Sequence, residues 1–215
     1  MIIADILRRQ CTLRPNAVAM TFAGKETTYA QMGDRVNRAA NALREMGVNK
    51  GDRVAVLSQN CNQFVELYFA NGKLGSVTTP LNYRLTAAEL EFIINNSEAV
   101  ALIVQDDFVP TIAGIKHLLP NIKHYITIGG SHQGYREYEE WIASSSPAEP
   151  GALIDENDLI WQMYTSGTTG RPKGAMITHR NLMTNVMQVA LEFRVETGDR
   201  SLIVAPIYHA AAVIT

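Results

Sequence analysis

The sequence predicts an α/β protein with a mostly parallel sheet that is covered by helices. Two observations favour this class. Short apolar runs of strand length alternate with stretches of helical periodicity, and threonine capping signals precede several of the helical stretches. Strands and helices that alternate at this spacing form right-handed βαβ units, whose parallel strands are buried on both faces.

The first half of the chain supplies most of these elements. Pro15 ends a first helix, and Gly47 ends a second. Capping boxes at Thr28 and Thr86 open two helices: the threonine hydroxyl and the Gln or Glu side chain three residues on each accept a hydrogen bond from the other residue's backbone N–H. Helices are predicted over residues 3–13, 28–46, 60–74 and from 86 onward. Strands are predicted over residues 17–22, 53–57, 77–80 and 101–104.

The second half continues the alternation. A weak helix over 111–119 precedes a strand over 125–128 and a short helix over 135–143. A strand over 159–163 follows, and Thr178 caps a last helix with apolar residues at spacings of three and four. Residues 144–151, Ser-Ser-Ser-Pro-Ala-Glu-Pro-Gly, have the composition of a linker. We therefore predict an α/β subdomain over 1–150 and the start of a second subdomain over 151–215.

Composition excludes several classes of function. The chain is 47% hydrophobic and 19% charged, as in an ordinary globular protein, and its net charge of −2 with scattered Lys and Arg favours no nucleic-acid partner. Cys11 and Cys61 stand in no motif, so free thiols in a reducing compartment are favoured over a disulfide. Neither a signal peptide nor an integral membrane segment is predicted, and we expect a cytoplasmic protein.

Residues 164–174, Tyr-Thr-Ser-Gly-Thr-Thr-Gly-Arg-Pro-Lys-Gly, carry the clearest functional signal. Glycines at 167, 170 and 174 can adopt positive φ and turn their N–H groups inward, while short hydroxyls and one lysine supply further donors. Polyphosphate binding needs these groups. A flexible linker is the alternative, but the apolar strand before the loop and the capped helix after it argue against a tether. The Walker phosphate loop is excluded because Pro172 precedes Lys173 and Gly174 replaces the required hydroxyl.

These eleven residues resemble the signature loop of the adenylate-forming (AMP-binding) superfamily, which contains the AMP-forming acyl-CoA synthetases. The resemblance covers essentially the whole chain. Because superfamily members continue for much longer, it implies that these residues are the N-terminal portion of the synthetase large domain, with the sheet and the site incomplete.

The resemblance also implies site residues. Lys173 and Thr165 are the catalytic candidates, and Thr165 would lie near Mg²⁺. The candidates for ATP phosphate binding are Thr165, Ser166, Gly167, Thr168, Thr169, Gly170 and Lys173. Tyr208 and His209, in Pro-Ile-Tyr-His, would border the carboxylate-substrate pocket, although by itself a histidine after a tyrosine is more typical of a packed polar residue.

Another stretch, Pro-Leu-Asn-Tyr-Arg-Leu-Thr over residues 80–86, is similar to one common in acyl-CoA synthetases. By its residues alone it predicts a turn and an N-cap.

The implied reaction has two steps. A carboxylate attacks the α-phosphate of ATP and releases pyrophosphate, and the thiol of coenzyme A then displaces AMP from the acyl-adenylate. We expect a fatty or aromatic acid, ATP, Mg²⁺ and coenzyme A as substrates and cofactors. The loop does not separate this ligase from an adenylation domain that loads a carrier protein or from a luciferase-like oxygenase. The 215-residue chain itself is expected to be a non-catalytic module without activity. The sequence leaves open whether the protein forms a homo-oligomer.

Overall fold

A seven-stranded sheet forms the centre of the computed structural model, which describes residues 1–165 and 171–213. Its strand order is β7-β6-β5-β3-β4-β8-β9, and β1 pairs with β2 in a separate hairpin. The strands are β1 Val18–Phe22, β2 Lys25–Thr28, β3 Arg53–Leu57, β4 Val77–Leu81, β5 Ala99–Gln105, β6 His124–Ile128, β7 Arg136–Glu137, β8 Leu159–Thr165 and β9 Lys173–Thr178. The helices of the described residues are α1 Ile3–Leu13, α2 Tyr29–Glu45, α3 Asn62–Leu74, α4 Ala87–Asn96, α5 Val109–Ile115, α6 Tyr138–Ala143, α7 His179–Glu192 and α8 Ala210–Val213, with 3₁₀ turns at Asp106–Phe108 and Lys116–Leu118.

The predicted fold class is confirmed. Every neighbouring pair in the large sheet is parallel except β8 with β9. Successive residues of β3 belong to different apolar clusters: Val54 and Val56 pack on one side of the sheet, and Ala55 and Leu57 on the other. This alternation shows helices covering both faces, as a buried parallel strand requires.

The three predicted threonine caps are present. The hydroxyls of Thr28, Thr86 and Thr178 accept hydrogen bonds from the backbone N–H three residues on, at 3.3, 3.4 and 3.1 Å. Each bond satisfies one of the unpaired N–H groups at a helix start.

Several predicted boundaries were wrong: the helix predicted over 111–119 is α5, Val109–Ile115, and the strand predicted over 101–104 extends over Ala99–Gln105. Two helix starts were also wrong. The helix predicted from residue 135 begins at Tyr138, because residues 136–137 instead pair with β6 as the edge strand β7. The helix predicted from residue 60 begins at Asn62, since the side chain of Asn60 makes tertiary hydrogen bonds outside the helix. Strand β9 was not predicted at all.

Residues 144–151 have a linker's composition but lie fixed along α2. Side chains of that helix donate hydrogen bonds to five of the segment's carbonyls: Asn37 to Pro147 at 2.8 Å, Arg38 to Ser145 at 2.8 Å, Asn41 to Ser146 at 2.7 Å and Ala148 at 2.8 Å, and Arg44 to Pro150 at 3.0 Å. Beyond it, β8 joins β4 in the same sheet. The division into two subdomains near residue 150 stays a prediction.

The start of α7 holds a buried histidine. His179 is fully buried, and its Nδ1 accepts a hydrogen bond from the Ile3 N–H at 3.3 Å, which places the ring proton on Nε2. In the described part of the chain Nε2 has no partner. Burial lowers the pKa of His179 to about 4, so the ring is neutral at pH 7. Gly72 permits this packing, because a Cβ there would lie 2.5 Å from Ile3 Cγ2.

None of the helices within residues 1–165 and 171–213 has the length and apolar character needed to cross a bilayer.

Candidate functional site

A hairpin of β8 and β9 brings together the two ends of the predicted phosphate loop. The strands are antiparallel, and Thr165, the last residue of β8, is the register partner of Lys173, the first residue of β9. Directly opposed residues project from the same face of a sheet with Cβ atoms about 5 Å apart. The side chains of Thr165 and Lys173 therefore leave neighbouring points of the backbone at the two ends of the loop.

The remaining phosphate-binding candidates are Ser166, Gly167, Thr168, Thr169 and Gly170. They lie outside the described residues.

Thr165 and Lys173 are both exposed. Within the described residues no carboxylate forms an ion pair with Lys173. An ammonium on a flexible stem that is not neutralised by a neighbour can bind phosphate oxygens. This geometry suits the role that the sequence predicted for both residues.

Gly174 serves a different purpose from the one predicted. Its φ is not positive, because the residue lies in β9 opposite Tyr164. A Cβ at this position would meet Gln162 Nε2 at 2.8 Å and Tyr164 Cζ at 3.1 Å. A larger residue would therefore force the Gln162 and Tyr164 side chains or β9 to shift, because these two side chains of β8 lie against the backbone of Gly174. Local sequence signals for β9 were weak, since an edge strand with an exposed face shows little apolar alternation.

Tyr164 ties the hairpin to α4. Its hydroxyl donates a hydrogen bond to Asn96 Oδ1 at 2.7 Å and accepts a longer one from Gln162 Nε2 at 3.4 Å. Burial raises the pKa of Tyr164 to about 12, so the hydroxyl remains a donor at neutral pH. Arg171, just before β9, stacks over the Phe92 ring of the same helix at 5.8 Å. Both ends of the loop are thus held against α4.

Tyr208 and His209 lie beside residues that follow β4. The Tyr208 ring is buried and meets the Tyr83 ring edge-on, with centroids 5.5 Å apart. Tyr83 stacks on Phe108 at 5.7 Å, and His209, which is exposed, lies 5.2 Å from the Tyr208 ring. The four rings form a continuous series, so the two stretches that the resemblance singled out separately are in contact.

The stretch around Tyr83 also forms the predicted turn. Asn82 Oδ1 accepts a hydrogen bond from the backbone N–H of Arg84 at 2.9 Å, and Thr86 caps α4. Sequence reasoning treated Tyr83 as part of this turn and missed its contact with Tyr208. Tyr164 belonged to the predicted loop, but nothing in the sequence pointed to Asn96 as its partner.

Both groups lie at the same edge of the sheet. β4 and β8 are adjacent parallel strands with Thr78 in register with Trp161. Tyr83 therefore lies just after the carboxyl end of β4, and Thr165 is the carboxyl end of the neighbouring strand β8. Ligands of open α/β sheets bind outside these carboxyl ends. The phosphate-loop hairpin and the aromatic series therefore border one region.

A magnesium ion is compatible with Thr165 as a minor ligand. The described residues contain no cluster of three His, Cys, Asp or Glu side chains that could hold a metal by themselves. Mg²⁺ in nucleotide sites keeps several waters and is otherwise bound by one or two protein side chains, usually carboxylates, and by phosphate oxygens of the substrate. The exposed Thr165 hydroxyl could supply one such protein oxygen.

A surface cavity of about 480 Å³ is lined by residues of β2, α2, α3 and α6. Its Arg35 guanidinium is already paired, with Glu66 at 2.6 Å and with Glu139 at 2.7 Å. A guanidinium neutralised by two carboxylates offers less to an anionic ligand than a lysine that has no carboxylate partner among the described residues.

The fold and the site together define an α/β protein in which the predicted phosphate loop connects the two strands of a β-hairpin at the carboxyl edge of a mostly parallel sheet. A family model described as AMP-binding enzyme matches residues 7–215. The chain therefore belongs to the AMP-binding enzyme family, and its relatives are acyl-CoA synthetases.

Three relatives show the range of that similarity. The feruloyl-CoA synthase of Amycolatopsis sp. is 36% identical over 204 residues, covering 95% of this chain and 39% of that protein. The long-chain-fatty-acid–CoA ligase FadD13 of Mycobacterium tuberculosis is 34% identical over 215 residues, covering 98% of this chain and 41% of that protein. A crystal structure of the anthranilate CoA ligase AuaEII in complex with anthranoyl-AMP is 31% identical, with a TM-score of 0.84 over 87% of this chain and 36% of that one. The chain thus spans about two fifths of the length of the curated relatives it matches.

Proposed function

We propose that the complete protein is an AMP-forming acid–thiol ligase that activates a fatty or aromatic acid as an acyl-adenylate and transfers it to coenzyme A. The observation that carries this proposal is the pairing of Thr165 with Lys173 across the mouth of the signature loop. Family membership supports the adenylating chemistry, and the relatives named above act on both acid classes by their names.

The physical difficulty of the first step is charge. A carboxylate must approach a triphosphate, and negative charge grows on the departing pyrophosphate. Lys173 would bind the β- and γ-phosphate oxygens, and Thr165 would donate to the same phosphates or contact Mg²⁺. The loop residues between them in the sequence, Ser166, Gly167, Thr168, Thr169 and Gly170, would add further donors. Mg²⁺ would neutralise phosphate charge when bound.

The aromatic series would form one wall of the acid pocket. Tyr208 and Tyr83 present an apolar surface that suits an alkyl chain or an aromatic ring, while the exposed His209 lies at the end of the series nearest solvent. Its imidazole would meet the more polar end of the acid.

Exchange of labelled pyrophosphate into ATP tests the first step directly. The complete protein is assayed with a hydroxycinnamic acid, an aminobenzoic acid and a long-chain fatty acid. We expect acid-dependent exchange with at least one of them, and coenzyme A thioester formation measured by loss of free thiol. Absence of exchange with all three classes would contradict the proposal. Exchange without thioester formation would instead favour an adenylation domain that loads a carrier protein.

The 215-residue chain, assayed in parallel, is expected to show no exchange, because it covers only about two fifths of its relatives. Exchange by the chain alone would contradict this part of the proposal.

A further inference from the structure

The segment that carries Tyr208 and His209 is held by two side chains. Asn60 lies between β3 and α3, and Tyr68 lies within α3. Asn60 Nδ2 donates a hydrogen bond to the Ala205 carbonyl at 3.0 Å, and Asn60 Oδ1 accepts one from the Ile207 N–H at 2.9 Å. The Tyr68 hydroxyl donates to the Ile207 carbonyl at 2.7 Å. We call Asn60 and Tyr68 the anchor pair.

The chemistry of the anchor pair is specific. An asparagine amide offers a donor and an acceptor on one plane, so Asn60 can bind the backbone on both sides of Pro206 as a neighbouring strand would. Tyr68 is almost fully buried, and its ring stacks on Phe64 at 5.2 Å and packs against Trp161 at 5.0 Å. Its hydroxyl therefore approaches Ile207 from a fixed ring in a water-excluded setting.

The residues just before the anchored segment receive no comparable support. Leu202 is 85% exposed and Val204 is 81% exposed, whereas Ile207 and Tyr208 are buried. Burial begins at Ile207, whose N–H donates to Asn60 Oδ1. The position of Tyr208 against Tyr83 thus depends on the anchor pair and on the packing that follows from it, and not on the exposed stretch that leads to it.

We propose that Asn60 and Tyr68 are positioning residues for acid binding: they fix residues 205–209 so that Tyr208 meets Tyr83 and His209 faces the site. Tyr68 packs against Trp161 inside β8, but in the described structure neither Asn60 nor Tyr68 hydrogen-bonds to Thr165 or Lys173, so we expect them to act on the acid and not on ATP. This inference rests on the proposed function for its catalytic consequence and on the hydrogen bonds alone for its structural one.

Hydrogen exchange on the chain itself tests the structural consequence. The Ile207 N–H is bonded to Asn60 Oδ1, so Asn60→Ala should speed exchange of that amide by roughly tenfold or more. Tyr68→Phe, which removes one oxygen from a buried ring, should speed exchange over 207–209 without unfolding the protein. Unchanged exchange in both variants would overturn the proposal.

Matched controls separate this effect from general loosening. Asn95→Ala removes a similar bond, from Asn95 Nδ2 to the Leu118 carbonyl at 3.0 Å. Tyr138→Phe removes another buried tyrosine hydroxyl, which donates to Glu66 at 3.0 Å. Neither control should alter exchange at Ile207. Equal acceleration in a control and its anchor variant would contradict a specific role.

Steady-state kinetics of the complete protein tests the catalytic consequence. In Tyr68→Phe and Asn60→Ala we expect the KM for the acid to rise about tenfold, while the KM for ATP changes less than twofold, since one or two hydrogen bonds that position only the acid wall are lost. An equal rise in both KM values, or no rise for the acid, would count against positioning. If the unaltered protein activates no acid at all, the proposed function fails while the exchange result still decides whether the anchor pair holds the segment.

Discussion

Thr165 and Lys173 face each other in the ladder of β8 and β9, so the chain leaves and re-enters the sheet at adjacent points around the phosphate loop. A hairpin is a rigid way to hold both ends of a loop, because strand hydrogen bonds determine the separation of the two backbones. The separation of the Thr165 and Lys173 backbones is therefore a property of the sheet, and the flexible lysine stem lets the ammonium reach from a fixed base.

Replacing Lys173 by alanine should slow adenylate formation in the complete protein by about 10²–10³-fold, because a charge contact that strengthens as pyrophosphate departs is lost. Thioester formation from supplied acyl-adenylate should change far less. Single-turnover measurements of the two half-reactions compare them. Lys123→Ala removes another lysine without a carboxylate partner among the described residues and serves as the control. Equal losses in both half-reactions would argue against phosphate binding by Lys173.

Gly174→Ala should weaken the hairpin although the residue has an ordinary strand conformation. The new Cβ would lie within 3.1 Å of Gln162 and Tyr164 atoms, so these side chains or β9 must shift. We expect the free energy of unfolding to fall by about 1–3 kcal/mol, the range for overpacking. Denaturant titration measures it. Gly114→Ala is the control: nothing lies within 4 Å of its Cβ and it sits in α5, so stability should hold or rise.

The buried His179 should make stability depend on pH below neutrality. Burial lowers its pKa in the folded chain from 6.5 to about 4, so between these values the unfolded chain binds more protons. The contribution of His179 to the free energy of unfolding should be fully present above about pH 6.5. It should decrease as the pH falls towards 4, by up to about 3 kcal/mol in all. Urea titrations from pH 4 to 8 measure it.

His179→Asn, which can still accept from Ile3, should flatten this dependence. The exposed His117→Gln should not. A slope that persists in His179→Asn would assign the effect to other groups.

Arg35 should stabilise the fold by pairing a carboxylate that has no access to water. Glu66 is fully buried and receives hydrogen bonds from Arg35 at 2.6 Å and from the Tyr138 hydroxyl at 3.0 Å. Arg35→Met leaves that charge without its cation and should cost about 3–5 kcal/mol. Thermal or denaturant unfolding would show it. Arg9→Met, on the exposed face of α1, should change stability by less than about 0.5 kcal/mol. Comparable losses in both variants would refute the argument.

Local sequence signals predicted much of this molecule because they reflect short-range physics. The capping threonines Thr28, Thr86 and Thr178 act on a backbone N–H only three residues away, and the apolar run of β3 requires burial wherever it lies. The signature loop was also recognisable locally, since glycines, hydroxyls and a lysine at fixed spacing describe phosphate chemistry without reference to the rest of the chain.

Long-range pairing was beyond those signals. The contact of Asn60 with Ile207 joins residues 147 positions apart, and the contact of Tyr83 with Tyr208 joins two turns that each looked ordinary alone. Strand β9 forms because β8 is present to pair with it, and the linker-like residues 144–151 are ordered because α2 presents donors to their carbonyls. None of these partners can be read from local composition.

By itself, the sequence determined the α/β class and the three threonine-capped helix starts, and it predicted the phosphate-loop chemistry, because each depends on residues within one turn or one strand of each other. Only the tertiary structure decided that Lys173 stands opposite Thr165, that Gly174 makes room for β8 side chains, and that the anchor pair places Tyr208 at the same edge of the sheet. These outcomes depend on which strands and side chains meet after the chain has folded, and that pairing is set by packing of the whole sheet.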